Sequence, residues 1–143
     1  MRILVTGTRD WPKDTQSRAG ILVAISDAAG DTPAAEVTVV HGGARGVDTF
    51  AHQAALILGF TPEVHPAPWN APCRDGCKHK PRKHPSGAEY CPAAGNYRNQ
   101  EMVDAGADVC VAFYVAGLAC TGTSDCDQRA VKAGIPVVRI GAA

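Results

Sequence analysis

Three short segments of this 143-residue chain combine glycine with polar residues, and each follows an apolar run. They cover residues 7–11, 41–48 and 121–125. Glycine lets the backbone approach a phosphate closely, and a helix that begins after such a turn points free N–H groups at the anion. A tight strand-to-helix turn needs glycine even without a ligand. Three such turns at one edge of a sheet nevertheless favour ligand binding.

Charged and aromatic side chains in these segments extend the prediction. Arg9 and Arg45 would add charge-assisted hydrogen bonds to a phosphate, and Trp11 would stack on a base. Asp48 stands near the start of a predicted helix, where it either caps that helix or contacts the ligand. The sequence therefore predicts a cradle for a phosphate-bearing, nucleotide-like ligand.

Other histidine, tryptophan and cysteine residues could also take part in chemistry, but most of them are predicted to be structural. His41 ends a strand beside the second segment and is a candidate for ligand contact, whereas His52, on the following helix, is predicted to be structural. Trp69 is interpreted as a core or hinge aromatic rather than a platform for a base. Cys110 lies in an apolar run and is predicted to be a small core residue.

A second group of chemically active residues lies within nineteen residues that lack apolar periodicity: Cys73, Cys77, His79, His84 and Cys91. Thiolate and imidazole ligands at such spacing suit tetrahedral zinc, which would hold together a segment that has no core of its own. We predict a closed, structural zinc site with the three cysteines and one histidine, His79 being preferred over His84. The alternatives are a reduced, flexible loop, or a disulfide that leaves one thiol over.

The rest of the chain alternates strand-like and helix-like patterns. Apolar runs predict strands over residues 3–5, 37–40, 61–65, 108–115 and 135–140. Helical spacing of apolar residues predicts helices over residues 15–29, 47–58, 96–105 and 127–133, with a glycine-containing loop over residues 118–125. This alternation predicts one α/β domain, residues 1–143, with a Rossmann-like doubly wound parallel sheet of about five strands. A zinc-knuckle-like segment of residues 68–94, here called the insertion, interrupts it.

Composition limits the possible partners and location. The formal net charge is +0 and 45% of residues are apolar, so a core can form and general nucleic-acid binding is disfavoured. No apolar run approaches the roughly 20 residues that span a bilayer, and the first residues do not resemble a secretory signal. We therefore expect a cytoplasmic protein. The insertion carries a basic group that is predicted to be a solvated face: Arg74, Lys78, Lys80, Arg82 and Lys83.

Several segments resemble known families. Residues 43–48, followed by Ala51 and His52, are similar to the glycine-arginine-glycine turn of the DNA-processing protein A family. Residues 98–102, then a strand and Gly122-Thr123, resemble the lysine-decarboxylase-like phosphoribohydrolases, which cut a nucleoside monophosphate at its N-glycosidic bond. Together, these features resemble the YspA-like branch of the SLOG superfamily across almost the whole chain except the insertion. The resemblance implies a nucleotide-derived ligand, and a homodimer is possible.

The resemblance also implies roles for individual residues. Arg98 falls on the catalytic arginine of the phosphoribohydrolases, and Gly122 and Thr123 fall on their phosphate loop. Their catalytic glutamate falls on Cys126, and a thiol cannot stabilise positive charge on a ribose as a carboxylate does. Asp125 or Asp127 would have to substitute for it.

Three functions follow as hypotheses. The first is a sensor or carrier of a nucleotide-derived ligand, the second an N-glycosidase that uses Arg98 with Asp125 or Asp127. The third is a nucleic-acid or protein adaptor that acts through the insertion, which the neutral charge disfavours. The residues predicted to contact the ligand are Gly7, Thr8, Arg9, Asp10, Trp11, Gly42, Gly43, Arg45, Gly46, Asp48, Arg98, Asn99, Gly122, Thr123, Ser124 and Asp125.

Overall fold

The computed structural model describes residues 1–77 and 82–142. Strands and helices alternate along the chain, with a two-stranded hairpin inside the insertion. The elements are β1 (Arg2–Gly7), α1 (Thr15–Ala29), β2 (Thr38–His41), α2 (Val47–Leu58), β3 (Thr61–Val64), β4 (Arg82–Lys83), β5 (Glu89–Tyr90), α3 (Ala94–Asp104), β6 (Val109–Val115), α4 (Thr121–Lys132) and β7 (Val137–Ala142). No helix in this described part of the chain is long and apolar enough to cross a membrane.

Five of these strands form a parallel sheet in the order β3-β2-β1-β6-β7, which confirms the predicted α/β fold. The central strand β1 pairs with β2 on one side and with β6 on the other. The chain therefore runs outward from β1 in one direction and then continues from β6 in the other. Ligands of such sheets bind beyond the carboxyl ends of the strands, at the point where this direction changes.

The two faces of the sheet are covered by different helices. Ile3 and Val5 of β1 pack in a core that includes residues of α1 and α2, whereas Leu4, between them, packs in a core with residues of α3 and α4. All three are fully buried, as expected because successive side chains of a strand point to opposite faces. This double burial explains why the central strands β1 and β6 have continuous apolar runs.

Local sequence signals set several helix ends. Asp14 caps α1 because its Oδ1 accepts a hydrogen bond of 2.8 Å from the N–H of Ser17. Gly59 ends α2 in the left-handed region, at φ 75°, where glycine has no steric penalty. These signals set where α1 begins and where α2 ends.

The main error of the sequence prediction lies at the start of α4. The loop predicted over residues 118–125 ends at Cys120, and α4 begins at Thr121 rather than at residue 127. Threonine, glycine and serine have low helix propensity, but a helix that packs on the sheet overrides such weak preferences. Thr123 and Cys126 are buried, so packing extends into the first turns. Smaller differences are that α3 begins at Ala94, β3 ends at Val64, and β7 covers Val137–Ala142.

Candidate functional site

A cleft of about 530 Å³ lies at the carboxyl ends of β1 and β6, the place predicted for ligand binding. Residues from all three glycine-bearing segments border it, together with residues of α3. The predicted ligand residues that line the cleft are Gly7, Thr8, Arg9, Asp10, Gly42, Asp48, Arg98, Asn99, Gly122, Thr123 and Asp125. Chain segments that are far apart in the sequence therefore meet in one concave site.

The first turn of α4 forms one wall of this cleft through Thr121, Gly122 and Thr123. The N-cap residue, Cys120, makes no side-chain hydrogen bond to this turn. The first backbone bond of the helix joins the N–H of Ser124 to the carbonyl of Cys120, at 2.9 Å. The N–H groups of the three preceding residues have no acceptor within the helix, and the helix dipole is positive here. This wall of the cleft is therefore suited to an anion.

Arg98 of α3 also lines the cleft. Its Nη1 donates hydrogen bonds to the carbonyl oxygens of Gly42, at 2.6 Å, and His65, at 3.3 Å, and its Nε donates to Asn99 Oδ1 at 3.0 Å. Gly42 permits this approach because a side chain there would occupy the space of the guanidinium. Burial lowers the pKa of Arg98, although the nearby carboxylate of Asp48 opposes the effect. Arg98 is thus a partly buried cation held by backbone carbonyls.

The second glycine-bearing segment uses its own backbone donors internally. The N–H groups of Gly42 and Ala44 both donate to Asp48 Oδ2 at 3.1 Å, and the N–H of Gly43 donates to His41 Nδ1 at 3.1 Å. Burial raises the pKa of Asp48 to about 6 despite these bonds. The prediction that residues 41–48 cradle a phosphate is therefore wrong in one respect. The N–H groups of residues 42–44 hold the turn together and do not point to a ligand.

The same bonds define the state of the two histidines. His41 Nδ1 accepts a hydrogen bond, so the proton of the neutral ring lies on Nε2, which donates to His52 Nδ1 at 3.0 Å. Burial lowers the pKa of His41 to about 4, and the charges of His52 and Arg98 act in the same direction. His41 is buried and does not border the cleft, so its suggested contact with ligand is not supported. Both histidines are structural.

Other predicted ligand residues lie elsewhere. Trp11 is in the core, 4% exposed, with its Nε1 donating to the carbonyl of Ser17 at 3.0 Å and its ring edge-on to Phe113. It cannot stack on a base in the cleft, which corrects that prediction. Gly46 lies against the backbone of Thr8 and Arg9, with φ 82°.

Three more predicted residues border neighbouring cavities instead of the cleft. Gly43 and Arg45 line a smaller cavity of about 330 Å³ that shares Arg9, Gly42 and Arg98 with the cleft. Arg45 is largely exposed and lies 3.5 Å from Asp10. Ser124 faces a separate groove beside Tyr114 and Leu118.

The two candidate carboxylates separate because α4 begins early. Asp125 lines the cleft, where its Oδ2 accepts hydrogen bonds from Asn99 Nδ2 at 3.0 Å and from Arg129 Nε at 2.9 Å. Asp127 lies outside the cleft, is 3% exposed, and bonds to Arg139 and Tyr114. Residues two apart on a helix point in different directions. Asp127 is therefore not a catalytic candidate, which corrects the prediction.

Cys126, at the position of the resembled glutamate, is fully buried in the core that contains Leu4 and Val103. Burial raises the pKa of its thiol to about 12, so it is neutral at pH 7. Cys110 is likewise buried in this core, as predicted. Neither thiol supplies a charge to the cleft.

A cysteine cluster in the insertion brings together the three predicted metal-binding thiols. The Sγ atoms of Cys73, Cys77 and Cys91 all lie within 4.8 Å of one another. Cys77 Sγ is 3.9 Å from Cys91 Sγ, too far for a disulfide, which needs about 2.05 Å. Two thiolates of a tetrahedral zinc ion, each at about 2.3 Å from the metal, are about 3.8 Å apart. The three cysteines are thus close enough to hold a metal ion.

The side chains around the cysteine cluster connect it to α3. The hydroxyl of Tyr97 donates to Cys77 Sγ at 2.9 Å and lowers the pKa of that thiol. Arg74 lies over the ring of Tyr97 and forms an ion pair of 2.5 Å with Glu101. The predicted ligand His79 lies outside the described residues. His84 does not belong to the group of close ligand atoms, and its ring stacks on Tyr90. The structure therefore does not support His84 as the alternative ligand.

Sequence reasoning missed several residues at the open end of the cleft. Trp69 of the insertion lines the cleft and is 36% exposed, so it is not a core aromatic. Gly95 and Asn96, in the first turn of α3, and Pro92 lie there too. One feature of the sequence could have identified Pro92, Gly95 and Asn96: they lie just before Arg98, which was predicted to contact the ligand. The contact between Gly95 and Trp69 depends on the path of the insertion, whose sequence has no apolar periodicity from which to predict it.

The chain is similar along nearly its full length to a known phage protein. The chain is 39% identical over 145 residues to the "Gene 61 protein" of Mycobacterium phage D29, across 98% of this chain and 96% of that protein. No family model and no solved structure matches the chain. The similarity therefore covers both the sheet and the insertion.

Proposed function

The chain belongs to the family of the Gene 61 protein of Mycobacterium phage D29, and we propose that its cleft binds a small phosphate-bearing ligand derived from a nucleotide. The observation that carries this proposal is the uncapped first turn of α4, which opens into the cleft where the strand order changes direction. Helix N-termini at this position of α/β sheets favour phosphate groups.

The carboxyl groups that line the cleft are each engaged by other groups, Asp10 by Arg45, Asp48 by backbone N–H groups and Asp125 by Arg129, which leaves the arginines of the cleft to support an anion of moderate size. Arg9 and Arg98 contribute two guanidinium groups, and Arg98 is already positioned by its bonds to two carbonyl oxygens. A preorganised cation loses less conformational entropy when a ligand binds. The volume of about 530 Å³ falls within the range of small-molecule sites, which is about 300–1,000 Å³.

The arrangement favours a sensor or carrier over an enzyme. The position of the resembled catalytic glutamate holds Cys126, which is buried and neutral. Asp125 is the remaining carboxylate of the two candidates, and it is already engaged by Asn99 and Arg129. The helix N-terminus and the arginines that suit a phosphate are present in the cleft. The carboxylate that glycoside chemistry would need, Asp125, is held by two hydrogen bonds.

A pair of glycine variants tests the proposal. A side chain at Gly122 meets open space, so Gly122→Ala places a methyl group in the cleft without a clash. Gly20 of α1 is likewise unobstructed but lies away from the cleft, which makes Gly20→Ala the matched control. Alanine favours a helix over glycine by about 1 kcal/mol, so neither variant should lose stability.

The measurement is isothermal titration calorimetry with the four 5′-ribonucleoside monophosphates, dinucleotides, cyclic oligonucleotides and inorganic phosphate. We expect at least one nucleotide to bind below millimolar Kd, with about tenfold or greater weakening in Gly122→Ala and no change in Gly20→Ala. If no phosphate compound binds, or if both variants bind like the wild type, the proposal fails.

The N-glycosidase hypothesis remains as a second candidate because Asp125 and Arg98 both line the cleft. It predicts release of free base from a nucleoside monophosphate. That release would be lost in both Asp125→Asn and Arg98→Ala, and retained in Gly20→Ala. Chromatographic detection of the free base decides it. Full activity of Asp125→Asn would exclude this carboxylate from the chemistry.

We further propose that the cysteine cluster holds a structural zinc ion through Cys73, Cys77 and Cys91, with His79 as the fourth ligand. The thiol spacing supports zinc, and the hydroxyl of Tyr97 would orient the Cys77 thiolate from outside the ligand shell. Metal analysis by mass spectrometry should give one zinc per chain. Cys91→Ser should lose it and Cys120→Ala, outside the cluster, should retain it. An equal zinc content in the two variants would contradict the assignment.

A further inference from the structure

Trp69 stands at one end of the cleft and is the single aromatic side chain among the described residues that line it. It comes from the insertion, whereas the anion-binding wall comes from the sheet and its helices. Trp69 is 36% exposed beside a polar cleft, so part of the face of its indole ring is accessible to a ligand. Tryptophan surfaces of this kind are sites where bases stack.

The position of the indole depends on Gly95. A Cβ atom at that residue would lie only 3.2 Å from Trp69 Cη2 and 3.3 Å from Cζ2, closer than ordinary packing allows. The absence of a side chain therefore lets the ring lie on the first turn of α3. On the same helix, Arg98 Nη2 is 3.9 Å from that Cβ position, so the indole and the partly buried guanidinium are neighbours.

Arg9 adds a second flat group at this end of the cleft. Its guanidinium carbon is 5.8 Å from the centroid of the indole, within the range of a cation–π contact. Asn96, exposed and next to Gly95, offers an amide donor and acceptor that could read the edge of a base. An aromatic ring, a planar cation and an amide are together the groups that recognise a heteroaromatic base.

The spacing of residues along α3 also fits a nucleotide. Asn99 Nδ2 donates to the carbonyl of Gly122 at 3.2 Å, so Asn99 marks the phosphate end on α3. Gly95, which carries the indole, is four residues earlier, or about 6 Å along the helix. One sugar ring between a phosphate and a base can bridge such a separation.

From this geometry we infer that Trp69 is the specificity-determining residue of the cleft and binds the nucleobase of the ligand. The inference rests on the proposed function, because it assigns the base end of the site whose phosphate end is proposed above. It makes the insertion part of the binding site as well as a metal-stabilised segment.

The test compares ligands with and without a base. Wild type, Trp69→Ala and Trp69→Phe are titrated with the four 5′-ribonucleoside monophosphates and with ribose 5-phosphate. Stacking on an aromatic residue strengthens binding by about 5- to 150-fold per base, so the preferred nucleotide should exceed ribose 5-phosphate by such a factor in the wild type. Trp69→Ala should abolish this preference with ribose 5-phosphate unchanged within about twofold, and Trp69→Phe should restore much of it.

Tryptophan fluorescence gives an independent readout, because Trp11 is buried in the core and Trp69 borders the cleft. The preferred nucleotide should quench the wild type, and ribose 5-phosphate should not. Equal loss of both ligands in Trp69→Ala would show a merely structural role and overturn the inference. Equal affinity for both ligands in the wild type would overturn it while leaving phosphate binding intact. Binding of neither ligand would remove the proposed function and the inference together.

Discussion

In the sheet, Ile3, Leu4 and Val5 are completely buried between two layers of helices, whereas the described residues of the insertion that precede α3 include one buried side chain, Cys91. The sheet is stabilised by removing apolar surface from water on both of its faces. The described residues of the insertion form no comparable core, and their contacts include a thiol cluster, an ion pair and ring contacts.

The difference between the two regions bears directly on the cleft. The sheet and its helices position the anion-binding wall, and the insertion supplies Trp69 at the other end. A ligand that spans the cleft would therefore contact both regions. The sheet and its helices are ordered by apolar packing, whereas the insertion depends on a few polar and thiol contacts. Changes that act on one region should leave the other largely intact.

Metal removal should give the largest effect, and it should be confined to the insertion. Structural zinc contributes about 10–16 kcal/mol in small zinc-binding peptides, and the described part of the insertion has no apolar core to replace it. A strong chelator should make the insertion sensitive to trypsin at Arg74, Arg82 and Lys83, while circular dichroism shows the sheet and helices unchanged. The chelated wild type should match chelator-free Cys91→Ser. Resistance to trypsin after complete metal removal would contradict the comparison.

Loss of core volume should instead destabilise the sheet. Phe113 of β6 is packed in the core and 0% exposed to solvent. Phe113→Ala should therefore lower the free energy of unfolding by about 3–5 kcal/mol. Leu56→Ala is the matched control, since Leu56 is 59% exposed and should change stability by less than about 0.5 kcal/mol. Urea denaturation measures both. Zinc content should stay at the wild-type level in each variant.

The buried carboxyl group of Asp48 should produce a pH effect of intermediate size. Its pKa is raised from 3.8 to about 6, so between these values the folded chain holds a proton that the unfolded chain releases. The resulting stability is fully present below pH 3.8 and is lost as pH rises through 6. Asparagine cannot ionise, and its oxygen can still accept hydrogen bonds from Gly42 and Ala44.

Asp48→Asn should therefore gain stability relative to the wild type by about 2–3 kcal/mol between pH 4 and pH 7. The measurement is urea denaturation across this range. Asp27→Asn, which changes an exposed carboxylate on α1, serves as the control and should follow the wild type. Parallel curves for Asp48→Asn and the wild type would mean that Asp48 does not titrate in this window.

The smallest effect is expected where the insertion contacts α3 at the surface. The side chains of Arg74 and Glu101 are each about half exposed, so their ion pair should contribute about 0.2–1 kcal/mol. A double-mutant cycle with Arg74→Ala and Glu101→Ala measures the coupling. It should fall further at high salt, because exposed charges are screened. A coupling above about 2 kcal/mol would show that this ion pair, rather than the cysteine cluster, holds the insertion on α3.

Much of the fold was predictable because parallel strands buried on both faces have continuous apolar sequences. Ile3 to Val5 and Val109 to Val115 carry that signal plainly. The start of α4 was not predictable in this way, since Thr121, Gly122 and Thr123 have weak helix propensity and are helical because the helix packs on the sheet. The same shift explains why Asp125 reaches the cleft and Asp127 does not.

The sequence by itself determined the alternating α/β order, the glycine-bearing segments at strand ends and the three cysteines of the insertion. Each depends on local spacing or on one side chain, which a sequence displays directly. The tertiary structure alone decided that the N–H groups of Gly42 and Ala44 serve Asp48, that Trp11 is buried, and that Trp69 borders the cleft. Those outcomes depend on which distant groups compete for the same hydrogen bond or the same volume, and only the folded chain settles that competition.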